Sequence, residues 1–238
     1  METEPQREPL AEIPLPGGQL TPGIVRVGTT VRRPPKGNAA FVHDLLLVLE
    51  DQGFPFAPRF LGMDEQGREI LKYLEGETWP ESGSSLPDDL LVQAARAIRR
   101  FHDATAGSPL AQGSEIVAHH ELGPHNTIFH EGHLVGFIDW DDAAPGTRLR
   151  DFANAVYNYV DVSHWANQET SEQARRISLM CAAYGWDDPL GIINDFEADL
   201  QQALRNHEQA GRTGAIRIFA EEVNWMQRRA QELRLALQ

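Results

Sequence analysis

The sequence predicts an α+β chain in two unequal parts, a small antiparallel sheet with one helix followed by a mainly helical part. Three observations carry this reading. Short strand-like runs dominate residues 20–74, and a polar, breaker-rich stretch follows at 75–85. Beyond Arg148 apolar residues recur at helical spacing almost to the end.

The elements follow in order. Residues 1–15 are rich in Pro and Glu and are expected to form a loosely held tail. Ile24, Val25 and Val27 before Gly28-Thr29, with Thr30, Val31 and Arg32 after it, read as a hairpin. Asn38 can cap a helix over 39–52, because Phe41, Leu45, Val48 and Leu49 share one helical face and Gly53 stops it. Residues 56–61 and 69–74 read as further strands joined through Asp64-Glu65-Gln66-Gly67. Residues 16–75 are thus expected to form one lobe and 76–238 a second. In the second, Leu91, Ala94, Ala95, Ile98 and Phe101 mark an amphipathic helix over 88–101, before a region of loop and short strands.

Composition narrows the function. The 238 residues, 41% of them hydrophobic, suffice for a core. Acidic residues outnumber basic ones 35 to 21, so the formal charge is -14, which disfavours nucleic acid and suits a neutral or cationic partner. Cys181 is the one cysteine; in the apolar run Leu179-Met180-Cys181-Ala182-Ala183 it reads as packing and suits a reducing compartment. The start Met-Glu-Thr-Glu-Pro lacks the pattern of a secretory signal and no run approaches a membrane span, so a cytoplasmic protein without membrane contact is expected.

The chemistry is concentrated in His119-His120-Glu121-Leu122-Gly123-Pro124-His125-Asn126 and in Phe137-Ile138-Asp139-Trp140-Asp141. Asn126 and Asp139 are oxygen ligands of the kind that hold Mg²⁺ on nucleotide phosphates, since this hard cation takes a few protein oxygens together with phosphates and waters. Glu121, upstream of Asn126, can face an acceptor hydroxyl and take its proton, while the remaining catalysis is positioning and charge neutralisation. His119 is expected to hold the loop through hydrogen bonds. The crowding of His119, His120, His125, His130 and His133 raises zinc as an alternative, yet no Cys accompanies them and their spacing matches no familiar ligand pair. His130 and His133 flank the turn Glu131-Gly132 and are expected to be exposed.

The run from His119 to Asn126 resembles the His-x-Asp-x-x-x-x-Asn catalytic loop of the aminoglycoside phosphotransferase family, and Ile138-Asp139-Trp140-Asp141 resembles its metal-binding segment. Arg150-Asp151-Phe152-Ala153, after Ala144-Pro145-Gly146-Thr147-Arg148, is similar to that family's Gly-x-x-x-x-Asp-Leu-Ala, and Arg99-Arg100-Phe101-His102 matches a helix end. The resemblance spans roughly residues 20–160. It implies a bilobal protein-kinase-like fold, ATP and Mg²⁺ as cofactors, Asn126 and Asp139 as metal ligands, and Glu121 in the general-base position normally held by Asp. It also implies a strand cation on the phosphates. Arg32 is the first candidate and Arg33 the second, since strand neighbours point to opposite faces and only one can reach. His43 or Asp44 stands where the family's helix supplies a Glu to orient that cation, Gly17-Gly18 faintly resembles a phosphate loop, and Asp151 is implied to brace the catalytic loop from below. Asp141 is either a second metal contact or an exposed loop carboxylate.

Two functions follow. One is an ATP- and Mg-dependent transfer of the γ-phosphate to a hydroxyl of a small molecule, an aminoglycoside or another amino alcohol. The other is a nucleotide-binding pseudoenzyme of regulatory or immunity type, because Glu121 adds about 1.5 Å of reach to the expected Asp and a displacement of about 1 Å can slow a reaction on the order of a hundredfold. Asp161, Glu169, Glu172, Asp187, Asp188, Glu221 and Glu222 either line an acidic acceptor cleft or form a solvated helical surface. Trp165, Trp186 and Trp225 either wall a pocket or belong to the core.

Overall fold

Five short strands open the chain as one antiparallel sheet in the order β1-β2-β3-β5-β4: β1 (Glu12–Pro14), β2 (Val25–Val27), β3 (Thr30–Arg33), β4 (Phe60–Met63) and β5 (Glu69–Lys72). The computed structural model describes residues 11–15, 23–79, 85–163, 166 and 168–238. Gly17-Gly18 and Trp165 lie outside the described residues.

The hairpin expected around Gly28-Thr29 is β2 and β3, with Val27 opposite Thr30. The sheet begins earlier than expected, because Glu12–Pro14 of the supposed tail pairs with β2 and Glu12 holds Arg68 at 2.7 Å. Backbone pairing carries β1, and three residues are too few to show alternation. β4 starts at Phe60 rather than 56, since Phe56 turns its carbonyl to the Phe137 amide (2.8 Å) and ties the two lobes together.

Helix α1 (Ala39–Asp51) lies between β3 and β4 and buries Val42, Leu45, Leu46 and Leu49. Asn38 does not cap it. Its side-chain amide instead donates across the lobes to the carbonyls of Ala143 (3.0 Å) and Asp141 (3.4 Å). The crossing between lobes turns at Gly76, whose φ is +132°; a Cβ there would strike the Phe129 carbonyl, so only glycine fits. Directly after it, β6 (Glu77–Thr78) joins a second sheet, β6-β8-β9, with β8 (Thr127–His130) and β9 (His133–Phe137).

The second lobe is otherwise helical: α2 (Asp88–Thr105), α3 (Arg148–Val160), α4 (Thr170–Tyr184), α5 (Pro189–Gln209) and α6 (Thr213–Ala236). β7 (Ile116–Ala118) and β10 (Ala144–Gly146) pair antiparallel beside them. Leu91, Ala94, Ala95, Ile98 and Phe101 form the buried face of α2, which runs one turn beyond the expected end and thereby buries His102 and Thr105. The core continues through Phe137, Phe152, Ile177 and Met180, and Phe54 of the first lobe touches Phe101 and Phe137. Cys181 is packing, fully buried, with its thiol pushed up to about 12 mainly by that burial. Among the described residues no helix is long and apolar enough to cross a membrane.

Candidate active site

The apolar strand β7 is wholly buried and delivers His119 to the centre of the second lobe. There Asp151, in the first turn of α3, accepts the backbone amides of His119 (3.1 Å) and His120 (2.8 Å) and the His102 Nε2 proton (2.9 Å). Burial opposes charge on Asp151, but the His102 hydrogen bond and charge outweigh it and hold the carboxyl below the usual carboxylate range. These bonds keep His120 at φ +70°, a left-handed conformation that non-glycine residues seldom adopt. Asp151 therefore sits beneath the loop and fixes its path.

His119 links the two halves of the motif. Its Nε2 donates to the Ile138 carbonyl (3.1 Å), its Nδ1 accepts the Glu121 amide (3.4 Å), and its ring lies 4.5 Å from Trp140. One donor and one acceptor require a neutral ring, and burial indeed lowers its pKa from 6.5 to about 4. The sign of the resulting pH dependence is fixed. Between those two values the unfolded chain holds a proton on His119 that the folded chain does not, so stability falls as pH drops through that window. Chemical denaturation should show the wild type losing about 2–3 kcal/mol more than His119→Asn between pH 7.5 and 4.5. Equal losses in the two proteins would contradict a buried neutral ring.

Three candidate residues converge around this link. Asn126, buried at the end of the tight turn Pro124–Asn126, donates its side-chain amide to the Glu121 carbonyl (3.0 Å), and its backbone carbonyl accepts Ile138 (2.9 Å). Its amide oxygen has no partner among the described residues and is oriented by the tied nitrogen. Asp139 follows β9 in a left-handed conformation (φ +60°, ψ +61°), and its side chain is 42% exposed. Burial, then a hydrogen bond and charge from Asp141, raise its pKa against the pull of Lys36 and Arg33. The Glu121 carboxyl is raised as well, first by burial, then by the charges of Asp142 and Asp139 and a hydrogen bond to Asp142.

Cations reach this cluster from the first lobe. Arg33 clamps Asp141 through Nη2 (2.6 Å) and Nη1 (3.1 Å), and its Nε holds Glu69 of β5 at 2.5 Å. Lys36 lies 2.6 Å from Asp141 and 3.9 Å from Asp139. Burial works against charge on Asp141, but hydrogen bonds from Arg33 and Lys36 keep its pKa lowered. Asp141 is thus a largely buried ion-pair partner, not an exposed loop carboxylate.

Of the two strand arginines, Arg33 faces the second lobe. Arg32, the first candidate, lies on the other face, donating to Thr30 Oγ1 (2.5 Å) with Asp64 at 3.8 Å. Strand alternation required the two to part, but which face meets the second lobe depends on how the lobes stack. His43 reaches Glu69 (2.7 Å), while Asp44 is exposed with no ion pair among the described residues. The sequence reading missed Lys36, Glu69 and Asp142. Lys36 and Asp142 were visible only as charges beside named residues, and Glu69 had no local signal at all.

The donor set fits Mg²⁺. Asn126 and Asp139 offer hard oxygens, and the carboxyl of Asp139 is strained by a neighbouring acid in a way a cation would relieve. Among the described residues no group of three or more His, Cys, Asp or Glu is placed to hold a metal alone, the crowded histidines included. His130 and His133 are exposed at their turn. Several candidate acceptor-site acids have local roles: Glu172 pairs with Arg175, Glu221 with Arg217, and Asp188 caps α5 through the Gly191 amide. Trp186 packs against Phe152 and Tyr184, and Trp225 packs partly against the core.

With this geometry in view, residues 108–190, which contain the whole stretch from His119 to Asp151, match the model of the phosphotransferase enzyme family. That match covers the motif region and helices α3 and α4 that follow it. The chain's likeness to solved structures gives the fold: the GDP complex of wild-type aminoglycoside 2'-phosphotransferase-IIIa superposes with TM-score 0.61 at 14% identity, covering 93% of this chain and 94% of the other. Macrolide 2'-phosphotransferase MphH from Brachybacterium faecium gives 0.60 at 15% identity, covering 84% and 86%. The bilobal kinase-like architecture expected from the motifs is therefore the one observed. A curated relative, the Trifolitoxin immunity protein of Rhizobium leguminosarum bv. trifolii, is 36% identical over 165 residues. That match covers 61% of this chain, which spans 61% of the relative's length.

Proposed function

We propose that the protein transfers the γ-phosphate of ATP, with Mg²⁺, to a hydroxyl of a small molecule. The observation that carries this is the convergence of Glu121, Asn126 and Asp139 through the shared supports His119 and Asp151, with Arg33 and Lys36 facing them from the other lobe. Asn126 and Asp139 hold Mg²⁺, which when bound neutralises charge on the phosphates; Arg33 supplies a second cation to them. Glu121 orients the acceptor hydroxyl and accepts its proton. Its raised pKa makes it a better base than an ordinary carboxylate, which offsets part of the penalty of its extra methylene. Related folds support nucleotide and acceptor classes of this kind, since one solved structure holds ADP and streptomycin. The negative charge of Glu121 and Asp142 beside the hydroxyl position favours a cationic acceptor, an aminoglycoside or another amino alcohol. ATP supply places the reaction in the cytoplasm.

ADP release across a panel of hydroxylated amines tests the reading. Glu121→Gln should lower kcat by about a hundredfold while leaving MgATP affinity near wild type; an unchanged kcat would remove Glu121 from the role of base.

The likeness to an immunity protein favours a second reading, a nucleotide-binding module of regulatory or immunity type, and the Glu at position 121 agrees with it. It predicts that MgATP raises the melting temperature with no transfer to any acceptor. ADP release that depends on an acceptor decides for the enzyme.

A further inference from the structure

We propose that Glu69 of β5, held in place by His43 of α1, is the residue that positions Arg33 for the nucleotide's phosphates, so that a strand carboxylate performs the task expected of the helix. This rests on the phosphotransferase reading above.

Arg33 and Glu69 are direct partners in the β3-β5 ladder, and the Glu69 side chain is fully buried. One carboxylate oxygen accepts Arg33 Nε at 2.5 Å and the other lies 2.7 Å from His43 Nε2. The His43 ring is itself fixed by stacking on Phe60, with centroids 3.9 Å apart and planes 13° off parallel. A buried carboxylate is tolerated only with partners, and both of its oxygens have one. The helix thus offers an imidazole where an acid was expected, and the acid has moved one layer inward, onto the neighbouring strand.

The consequence for Arg33 is directional. A guanidinium is a flat fork with two usable edges. Glu69 occupies the Nε side, which leaves Nη1 and Nη2 aimed at Asp141 in the segment that carries Asp139. That fork suits a phosphate as well as it suits a carboxylate. Without Glu69 the long side chain regains its torsional freedom and the fork loses its aim. Were Glu69 only a buried strand tie, its loss would weaken the fold without discriminating between phosphorylated and unphosphorylated ligands.

The experiment uses the full chain at a temperature where every variant is folded by its melting curve, and it measures ATP and adenosine binding by calorimetry. Glu69→Gln is expected to weaken ATP by about tenfold or more and to leave adenosine unchanged. Arg33→Gln should show the same pattern, and the double variant should add nothing to it. His43→Glu combined with Glu69→Gln, which returns the acid to the helix, should recover part of the ATP affinity. If Glu69→Gln does not fold, Glu69→Asp, which retracts the charge by one methylene, should show a smaller loss confined to ATP. ATP affinity within about twofold of wild type, or a parallel loss of ATP and adenosine, overturns the assignment. A wild type that binds neither ligand is a different result: it removes the phosphotransferase reading, and the role of Glu69 with it.

Discussion

Asp139→Asn lowers MgATP-dependent turnover on the order of a thousandfold while leaving the melting temperature at or slightly above that of the wild type. The two halves of this expectation have separate causes. In the proposed reading Asp139 would supply a charged oxygen to the Mg²⁺ that offsets the phosphates' charge, and an amide oxygen offers the same geometry with little of the electrostatic strength. The fold, by contrast, does not depend on that charge. Burial and the adjacent Asp141 raise the Asp139 pKa, so the folded protein disfavours the ionised form, and neutralising it relieves the repulsion. Asn is chosen because the backbone at 139 is left-handed, at φ +60°, which Asn accepts and Ala does not. ADP release titrated with Mg²⁺, beside thermal melts, measures both quantities. Turnover within about tenfold of the wild type would show that the essential charge lies elsewhere in the cluster.

Asp151→Ala has the largest expected effect on stability, a loss of about 3–5 kcal/mol. Three donors, the buried amide of His119 and imidazole of His102 and the partly buried amide of His120, share this one carboxylate, and the methyl of Ala accepts none of them. Water does not readily compensate, because His102, His119 and Asp151 are all fully buried. Asp151→Asn keeps one acceptor oxygen and should lose about half as much. The sign of the pH dependence follows from the lowered pKa of Asp151. Its stabilisation is fully present above the unfolded value of 3.8 and disappears as pH falls through the lower folded value, so the wild type and Asp151→Ala should converge in strong acid. Urea denaturation at pH 7 reads the difference; a loss under about 1 kcal/mol would mean that the loop is supported by other contacts. Because the same carboxylate sets the position of Glu121 through His119 and His120, transfer should fall in the folded fraction too.

The parts of the molecule that were legible in the sequence are those whose cause is local. The β2-β3 hairpin could be read because its turn residues lie between two apolar runs, and α2 because its apolar residues repeat at helical spacing over several turns. Glu121, Asn126 and Asp139 could be brought forward as candidates because they lie within a short span that resembles a phosphotransferase motif. The short strand β1 could not, since its only support is pairing with β2 and the Glu12 to Arg68 ion pair, both made by residues elsewhere in the chain. Asn38 looks like a cap in sequence, yet its amide serves the carbonyls of Asp141 and Ala143 across the cleft.

By itself, then, the sequence determined the order of the two lobes and singled out Glu121, Asn126 and Asp139 as the candidate residues of the motif. Periodicity encodes the first, and the second rests on the motif's resemblance to a phosphotransferase loop, neither of which refers to distant residues. Only the tertiary structure decided which arginine of Arg32 and Arg33 faces the second lobe, that Asp141 is paired with Arg33 and Lys36, and that Glu69 stands beside the strand cation. Each of these depends on which face of the sheet the second lobe covers and on the register between β3 and β5. Those are properties of chain segments brought together by burial, and a strand's alternation shows that its faces differ but not which one turns inward.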